Sequence, residues 1–175
     1  MKNAVFLDRD GTLIEDVGHL RSPIDINFYA DVYAALKILK KDFLLFIITN
    51  QTGISKGHLT VEEVNEVNKA IIKRFSEESI NITDIYVCPH SKEGKCICSK
   101  PESYFLLEAA KKYNIDLASS YLIGDHPEDV YCAENAGATG IYLLIGHGVK
   151  HLHEFAQKPI IKADILAAAK YINSK

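Results

Sequence analysis

The amino-acid sequence predicts an α/β fold in which a parallel β-sheet is sandwiched between helices. Five short apolar runs lack polar alternation, as expected for strands covered on both faces, and they occupy residues 4–7, 43–48, 85–87, 121–123 and 141–145. Amphipathic segments separate these runs, and repeated strand–helix alternation favours a Rossmann-like parallel sheet. Right-handed crossovers then place the carboxyl ends of all strands along one edge, where such folds bind ligands.

Helical spacing of apolar residues predicts what lies between the strands. Val32, Ala35, Leu36 and Leu39 form one stripe, and a second stripe over residues 61–75 follows a capping box that starts at Thr60. Three further helices are expected, at residues 102–113, 127–136 and 163–172. The longest irregular stretch, residues 12–30, is too short for a separate unit, so we expect residues 1–175 to form one domain.

Composition excludes several classes of protein. The chain has 175 residues, 47% of them hydrophobic and 25% charged, which is typical of a globular domain. Its 20 basic and 23 acidic residues give a net charge of -3, which argues against nucleic acid or anionic membrane as a partner. No apolar run approaches the roughly 20 residues that cross a bilayer, and the start does not resemble a secretion signal. We expect a cytoplasmic monomer.

Four of the five apolar runs end in polar residues that a simple turn does not need. At a common sheet edge these ends bring together Asp8, Asp10, Asp125 and the Thr49 hydroxyl, with Lys100 as a further candidate. Three carboxylates repel one another unless a cation neutralises them, and an all-oxygen site suits Mg²⁺. An aspartate can attack phosphorus, and a second one two residues on can serve as general acid and base. The pattern therefore indicates phosphoryl transfer.

The residues that carry this pattern resemble the four ordered motifs of the haloacid dehalogenase (HAD) phosphatase superfamily. The matching segments are residues 8–13 (DRDGTL), residues 49–50, Lys100, and residues 124–125 with Asp129. The resemblance implies a HAD fold without a cap domain and a Mg²⁺-dependent phosphomonoester hydrolase that forms an aspartyl-phosphate. Its substrate would be a small phosphorylated metabolite.

Roles for individual residues follow from the same resemblance. Asp8 would be the nucleophile and Asp10 the acid/base, Thr49 would bind the transferring phosphoryl group, and Lys100 would offset charge between nucleophile and phosphate. The Mg²⁺ ligands would be Asp8, the Asp10 backbone carbonyl and Asp125. Asp129 has two interpretations. It would either hold a metal-bound water or orient Lys100, or it is simply an acid favoured at the start of a helix. Asn50, Gln51 and Ser99 are the predicted substrate-binding residues.

A second metal site is predicted in one short loop. Cys88, His90, Cys96 and Cys98 supply four sulfur or nitrogen ligands within eleven positions, a standard set for structural zinc. No ligand position is left open for chemistry, so this zinc would brace the loop that delivers Lys100. Clustered cysteines in a chain without a secretion signal more often bind metal than form disulfides.

The cysteine loop narrows the resemblance to two branches of the superfamily, the heptose bisphosphate 7-phosphatases and the histidinol-phosphate phosphatases. Residues 50–57 and 115–121 look more like the heptose branch, whereas the five-residue gap from His90 to Cys96 is closer to the histidinol-phosphate branch. Ser99 stands where both branches normally have a substrate-recognising arginine, and Arg21 or Lys56 is a candidate replacement. Two rival functions, a polynucleotide 3′-phosphatase and a phospho-accepting receiver domain, fit the charge and the strand position of Asp8 less well.

Overall fold

A computed structural model of the chain describes residues 1–91 and 96–175. It contains a six-stranded, fully parallel sheet in the order β3-β2-β1-β4-β5-β6. The strands are β1 (Ala4–Leu7), β2 (Leu44–Asn50), β3 (Ile82–Cys88), β4 (Tyr121–Gly124), β5 (Thr139–Leu143) and β6 (Ile160–Lys162). The predicted parallel sheet is confirmed.

Helices follow most strands, as expected of a doubly wound sheet. They are α1 (Val32–Leu39), α2 (Val61–Glu77), α3 (Tyr104–Tyr113), α4 (Pro127–Asn135), the short α5 (Gly148–His151) and α6 (Ile165–Asn173). Helix α2 begins with the predicted capping box, in which Thr60 and Glu63 bond each other's backbone N–H groups. Within the described ranges, no helix combines the length and apolar character needed to cross a membrane.

Two hydrophobic cores lie on opposite faces of the sheet because successive side chains of a strand point to opposite sides. On one face, Val5 and Leu7 of β1 pack in a cluster with residues of α1, α2 and α6. On the other, Ala4 and Phe6 pack in a cluster with residues of α3 and α4. All four of these β1 side chains have no exposed surface. Strand β1 is therefore held rigidly at the centre of the sheet.

The structure corrects the predicted strands at both edges of the sheet and in β5, which spans Thr139–Leu143 rather than residues 141–145. Strand β6 was missed, because its three half-buried residues at the sheet edge form too short an apolar run to stand out. Strand β3 begins at Ile82 rather than at residue 85, because this opposite edge strand is only half buried and carries polar residues among apolar ones. All three differences lie outside β1 and β4, the strands that Asp8 and Asp125 follow.

Candidate active site

The predicted site residues meet at the point where the strand order reverses. Strands β1 and β4 are neighbours at the centre of the sheet, and their connections run to opposite sides. Asp8 follows β1 and donates its backbone N–H to the Ile123 carbonyl of β4 at 3.0 Å, while Asp125 follows β4 directly. Both carboxylates line a cleft of about 140 Å³ at the carboxyl edge of the sheet. This is the position at which open α/β sheets bind ligands.

A buried ammonium group links two of the carboxylates. Lys100 Nζ lies 2.5 Å from Asp8 Oδ1 and 2.5 Å from Asp129 Oδ1, and it also donates to the Ile48 carbonyl at 3.3 Å. The exposed fractions of Asp8, Lys100 and Asp129 are 7%, 5% and 1%. Ligand oxygens of Asp8, Asp125 and Asp129 all lie within 4.8 Å of one another, close enough to share one cation.

Charge in this cluster is unbalanced. Burial raises the pKa of Asp8 well above its usual value; Lys100 opposes that shift, whereas Asp129 and Asp125 add to it. Burial also raises the pKa of Asp125, to about 6. Burial lowers the pKa of Lys100, but the Asp129 and Asp8 carboxylates outweigh this and raise it. One charged lysine thus faces three carboxylates, so a divalent cation would complete the charge balance.

Asp125 is fixed by the loops around it. The backbone N–H of His147 donates to Asp125 Oδ2 at 2.7 Å, and the Thr12 hydroxyl lies 3.4 Å from Oδ1. Gly146 has a φ of +54°, and a Cβ atom there would lie 2.3 Å from Asp125 Oδ2 and 2.5 Å from the Gly11 carbonyl oxygen. Only glycine fits this position without displacing the carboxylate.

We expect Gly146→Ala to destabilise the protein and to remove activity, because the added methyl must push Asp125 or the Gly11 backbone aside. Gly137→Ala is the matched control, since Gly137 also has a positive φ (+76°) but a Cβ there would meet nothing within 4 Å. Both variants incur backbone strain, and Gly146→Ala should lose a further 1–3 kcal/mol or so of unfolding free energy from overpacking. Denaturant unfolding checks this, and equal losses in the two variants would contradict it.

Asp10 is held apart from the Lys100 cluster. Its carboxylate accepts two parallel hydrogen bonds from Arg9, from Nε and Nη2, both at 3.0 Å. Oδ2 also accepts from Gln51 Nε2 at 2.8 Å and from Thr49 Oγ1 at 3.2 Å. Asp10 and Thr49 line the same cleft as Asp8. The predicted acid/base and phosphoryl-binding residues therefore share one hydrogen-bond network in the cleft that Asp8 also lines.

Two of the predicted substrate-binding residues contact the lysine loop itself. Asn50 Oδ1 accepts from the Lys100 backbone N–H at 3.1 Å, and Asn50 Nδ2 donates to the Lys100 carbonyl at 3.3 Å. Ser99 is buried, and its hydroxyl lies 3.4 Å from the same carbonyl. Asn50, at the end of β2, thus fixes the backbone from which Lys100 reaches into the site. Binding of substrate by Asn50, Gln51 and Ser99 stays a prediction.

The four predicted zinc ligands are brought together. The separations among their sulfur and Nδ1 atoms run from 3.1 to 3.7 Å. Tetrahedral zinc with bonds of about 2.0–2.3 Å sets its ligands about 3.3–3.8 Å apart. Burial opposes ionisation of Cys96, but hydrogen bonds from the Cys98 backbone, the Cys98 and Cys88 thiols and the Ser99 backbone lower its pKa to about 6. Part of the gap between His90 and Cys96, residues 92–95, lies outside the described residues.

Asp129 makes both of the contacts that the sequence offers as alternatives, one with Lys100 and one at the start of a helix. One oxygen pairs with Lys100, and the other accepts from the His126 backbone N–H at 3.0 Å, where it caps α4. The cleft wall also contains residues that the sequence does not predict as part of the site, among them Asp16, Glu128 and His147. The His147 ring contacts Asp16 at 2.9 Å, so two separate loops meet there. Arg21, a candidate replacement for the family arginine, is exposed and lies 3.7 Å from Glu63.

This fold and this site together define the class of protein. A carboxylate after the first strand, a hydroxyl at the end of the second, a buried lysine and two acids after the fourth make the arrangement of a HAD-like hydrolase. A family model described as HAD-hydrolase-like matches residues 97–170, which include the lysine, Asp125 and Asp129.

The relatives of the chain narrow the class to one kind of phosphatase. The chain is 40% identical over 144 residues to the D-glycero-beta-D-manno-heptose-1,7-bisphosphate 7-phosphatase of Haemophilus ducreyi, covering 78% of this chain and 79% of that protein. It is 35% identical over 156 residues to the Helicobacter pylori enzyme of the same name, covering 88% and 90%. The structure matches a D,D-heptose 1,7-bisphosphate phosphatase from B. bronchiseptica, crystallised with magnesium and phosphate, with a TM-score of 0.90, 25% identity and 99% of both chains covered. The chain belongs to this family of HAD-like phosphatases.

Proposed function

We propose that this phosphatase removes the 7-phosphate of a D-glycero-D-manno-heptose 1,7-bisphosphate, with Asp8 as the nucleophile. The observation that carries the proposal is the Asp8–Lys100–Asp129 cluster beside Asp125, at the strand ends of a fold whose relatives bear that activity in their names. A nucleophile must be accessible, and Asp8 lines the cleft despite its burial. Lys100 lies where it can stabilise negative charge on both Asp8 and an incoming phosphate.

The proposed reaction has two steps. In the first, an Asp8 oxygen bonds to phosphorus, the bond from phosphorus to the ester oxygen breaks, and Asp10 gives its proton to the departing alkoxide. In the second, Asp10 takes a proton from water, the water oxygen bonds to phosphorus, and the bond to Asp8 breaks to release inorganic phosphate. Thr49 lines the same cleft, and its hydroxyl, which donates to Asp10 in the structure, would turn to donate to a phosphoryl oxygen instead.

Two metals fit the donor sets that the chain provides. Asp8, Asp125 and the Asp10 carbonyl would hold Mg²⁺, which neutralises the phosphoryl oxygens when bound. The excess of negative charge among these side chains supports this assignment. An oxygen of Asp129 also lies near this metal position, but the two Asp129 oxygens already bind Lys100 and the His126 backbone N–H at the start of α4. Cys88, His90, Cys96 and Cys98 would hold zinc as a structural ion.

Cys96→Ser should abolish zinc binding, because it removes one of four ligands and leaves three crowded groups without their ion. Cys132→Ser is the control, since Cys132 is a buried cysteine that contacts the Glu102 carbonyl rather than the cluster. Metal analysis of the purified proteins should find one zinc per chain in wild type and Cys132→Ser, and little in Cys96→Ser. The variant should also unfold more readily, because zinc binding contributes to folding. A wild-type protein purified without zinc would contradict the assignment.

Comparing kcat/KM among phosphate esters tests the substrate. The set should contain both anomers of the heptose 1,7-bisphosphate, histidinol phosphate and common sugar monophosphates. We expect a heptose bisphosphate to exceed every other ester by at least about tenfold, a difference of about 1.4 kcal/mol in transition-state binding. A higher value for histidinol phosphate would reject the proposed substrate and favour the other branch of the superfamily.

A further inference from the structure

A buried arginine behind the cleft connects Asp10 to helix α2. Arg9 has an exposed fraction of 1%, and it directs two nitrogen atoms at the Asp10 carboxylate and the third, Nη1, at Asn68 Oδ1, 2.8 Å away. The contact between Arg9 and Asp10 is a two-point fork, which fixes the plane of the carboxylate as well as its position.

A buried asparagine in a helix lowers stability, which indicates that Asn68 is present for the contact it makes with Arg9. Asn68 lies in the middle of α2, on the face that buries Val64, Val67 and Ile71, and its own exposed fraction is 6%. Asparagine is a poor helix residue, and a buried amide needs hydrogen-bond partners. A leucine would continue the apolar stripe without that cost. The hydrogen bond to Arg9 is the contact that an apolar residue at this position could not make.

We infer that Asn68 and Arg9 are positioning residues that hold the Asp10 carboxylate where it takes a proton from water in the second step. The inference rests on the proposed roles of Asp8 and Asp10. Thr49, which lines the cleft, and the buried Gln51 both donate to Asp10, whereas Arg9 binds it from a fully buried position and is itself held by Asn68. Among the hydrogen bonds and ion pairs of the described residues, none joins Asn68 to Asp8 or Lys100, so we expect its influence on the reaction to run through Arg9.

The distinguishing readout is the fraction of enzyme that carries phosphate on Asp8 during turnover. With an aryl phosphate, the first step needs little help from an acid because the leaving group is good. A poorly held Asp10 then slows mainly the second step, so phosphoenzyme should accumulate. A general loss of structure would instead slow both steps or reduce the amount of active protein, and it would not raise this fraction.

Four variants test the inference on an aryl phosphate substrate. Asn68→Leu should lower kcat about tenfold and raise the phosphoenzyme fraction. A positioned base contributes roughly 10²–10⁴-fold to the rate, and this variant should lose part of that. Arg9→Met should do the same more strongly. Asn68→Asp keeps an acceptor oxygen for Arg9 and should stay within about threefold of wild type. Val67→Ala, a packing change at the neighbouring position on α2, should leave the phosphoenzyme fraction unchanged.

The outcomes separate this inference from the proposed function. If Asn68→Leu leaves kcat unchanged, or lowers it without raising the phosphoenzyme fraction, the inference is wrong. Phosphate on Asp8 in an Asp10→Asn variant, with none accumulating in Asn68→Leu, rejects the positioning role alone. Absence of phosphate on Asp8 in every variant rejects the proposed nucleophile, and the positioning role with it.

Discussion

Asp8→Asn should abolish turnover while leaving the fold intact. An amide cannot form the acyl phosphate, so we expect kcat to fall well below one per cent of wild type, a barrier increase of more than about 2.7 kcal/mol. Asparagine has the same shape and still accepts a hydrogen bond from Lys100, which remains paired with Asp129. Phosphate release assays with an aryl phosphate and with a sugar phosphate measure the loss.

The same variant should be at least as stable as wild type without metal. The pKa of Asp8 is raised in the fold by burial, which shows that the folded protein disfavours its charged form. A neutral amide removes that penalty. Residual activity above about one per cent, which corresponds to a loss under about 2.7 kcal/mol, would reject Asp8 as the nucleophile.

Lys100→Met should have the largest effect on stability. It removes the only ammonium that contacts Asp8 and Asp129 within the described part of the chain, and it leaves those carboxylates buried without a counter-ion. Breaking one side of a buried ion pair costs about 3–5 kcal/mol. Lys112→Met is the matched control: Lys112 pairs with Asp84 at the surface, where removal should cost no more than about 1 kcal/mol.

The stability loss in Lys100→Met should grow as pH rises. In the metal-free wild type the pKa of Asp125 is raised by burial from 3.8 to about 6, so its contribution to stability falls as pH rises through that interval. Without Lys100 the carboxylates repel one another more strongly, and the fall should be steeper. Urea unfolding of the metal-free proteins at pH 5 and pH 8 checks this. A Lys100→Met protein that is relatively more stable at pH 8 would contradict it.

The sequence was informative about the fold because buried parallel strands lack polar alternation. Strands β1, β2, β4 and β5 all lie within the sheet, covered on both faces, and all four were predicted from their apolar runs. The edge strands β3 and β6 were truncated or missed, because partial burial leaves a weaker pattern. The comparisons agree with the predicted HAD-like fold and the heptose branch.

The sequence predicts only some of the side-chain contacts across the fold. That Asp8 and Asp125 lie at one edge of the sheet follows from right-handed crossovers between parallel strands, whereas the structure alone shows that β1 and β4 are neighbours. That Asn68 reaches Arg9 depends on how α2 packs against the sheet, and the nearest signal was a polar residue in an apolar stripe. For Asp129 the sequence offers contact with Lys100 and a helix-start role as alternatives, and the position of the Lys100 side chain shows that Asp129 makes both contacts.

The most direct test of the proposed mechanism is to locate the phosphoryl group on the enzyme during turnover. Asp10→Asn enzyme, mixed with an aryl phosphate and Mg²⁺ and quenched in acid, should yield one peptide heavier by one phosphoryl group, with the modification on Asp8. The phosphoryl group should be absent from Asp8→Asn protein, and on the Asp10→Asn enzyme it should decay when substrate is removed. Phosphate on a different residue, or steady release of phosphate with Asp8 never modified, would contradict covalent catalysis by Asp8.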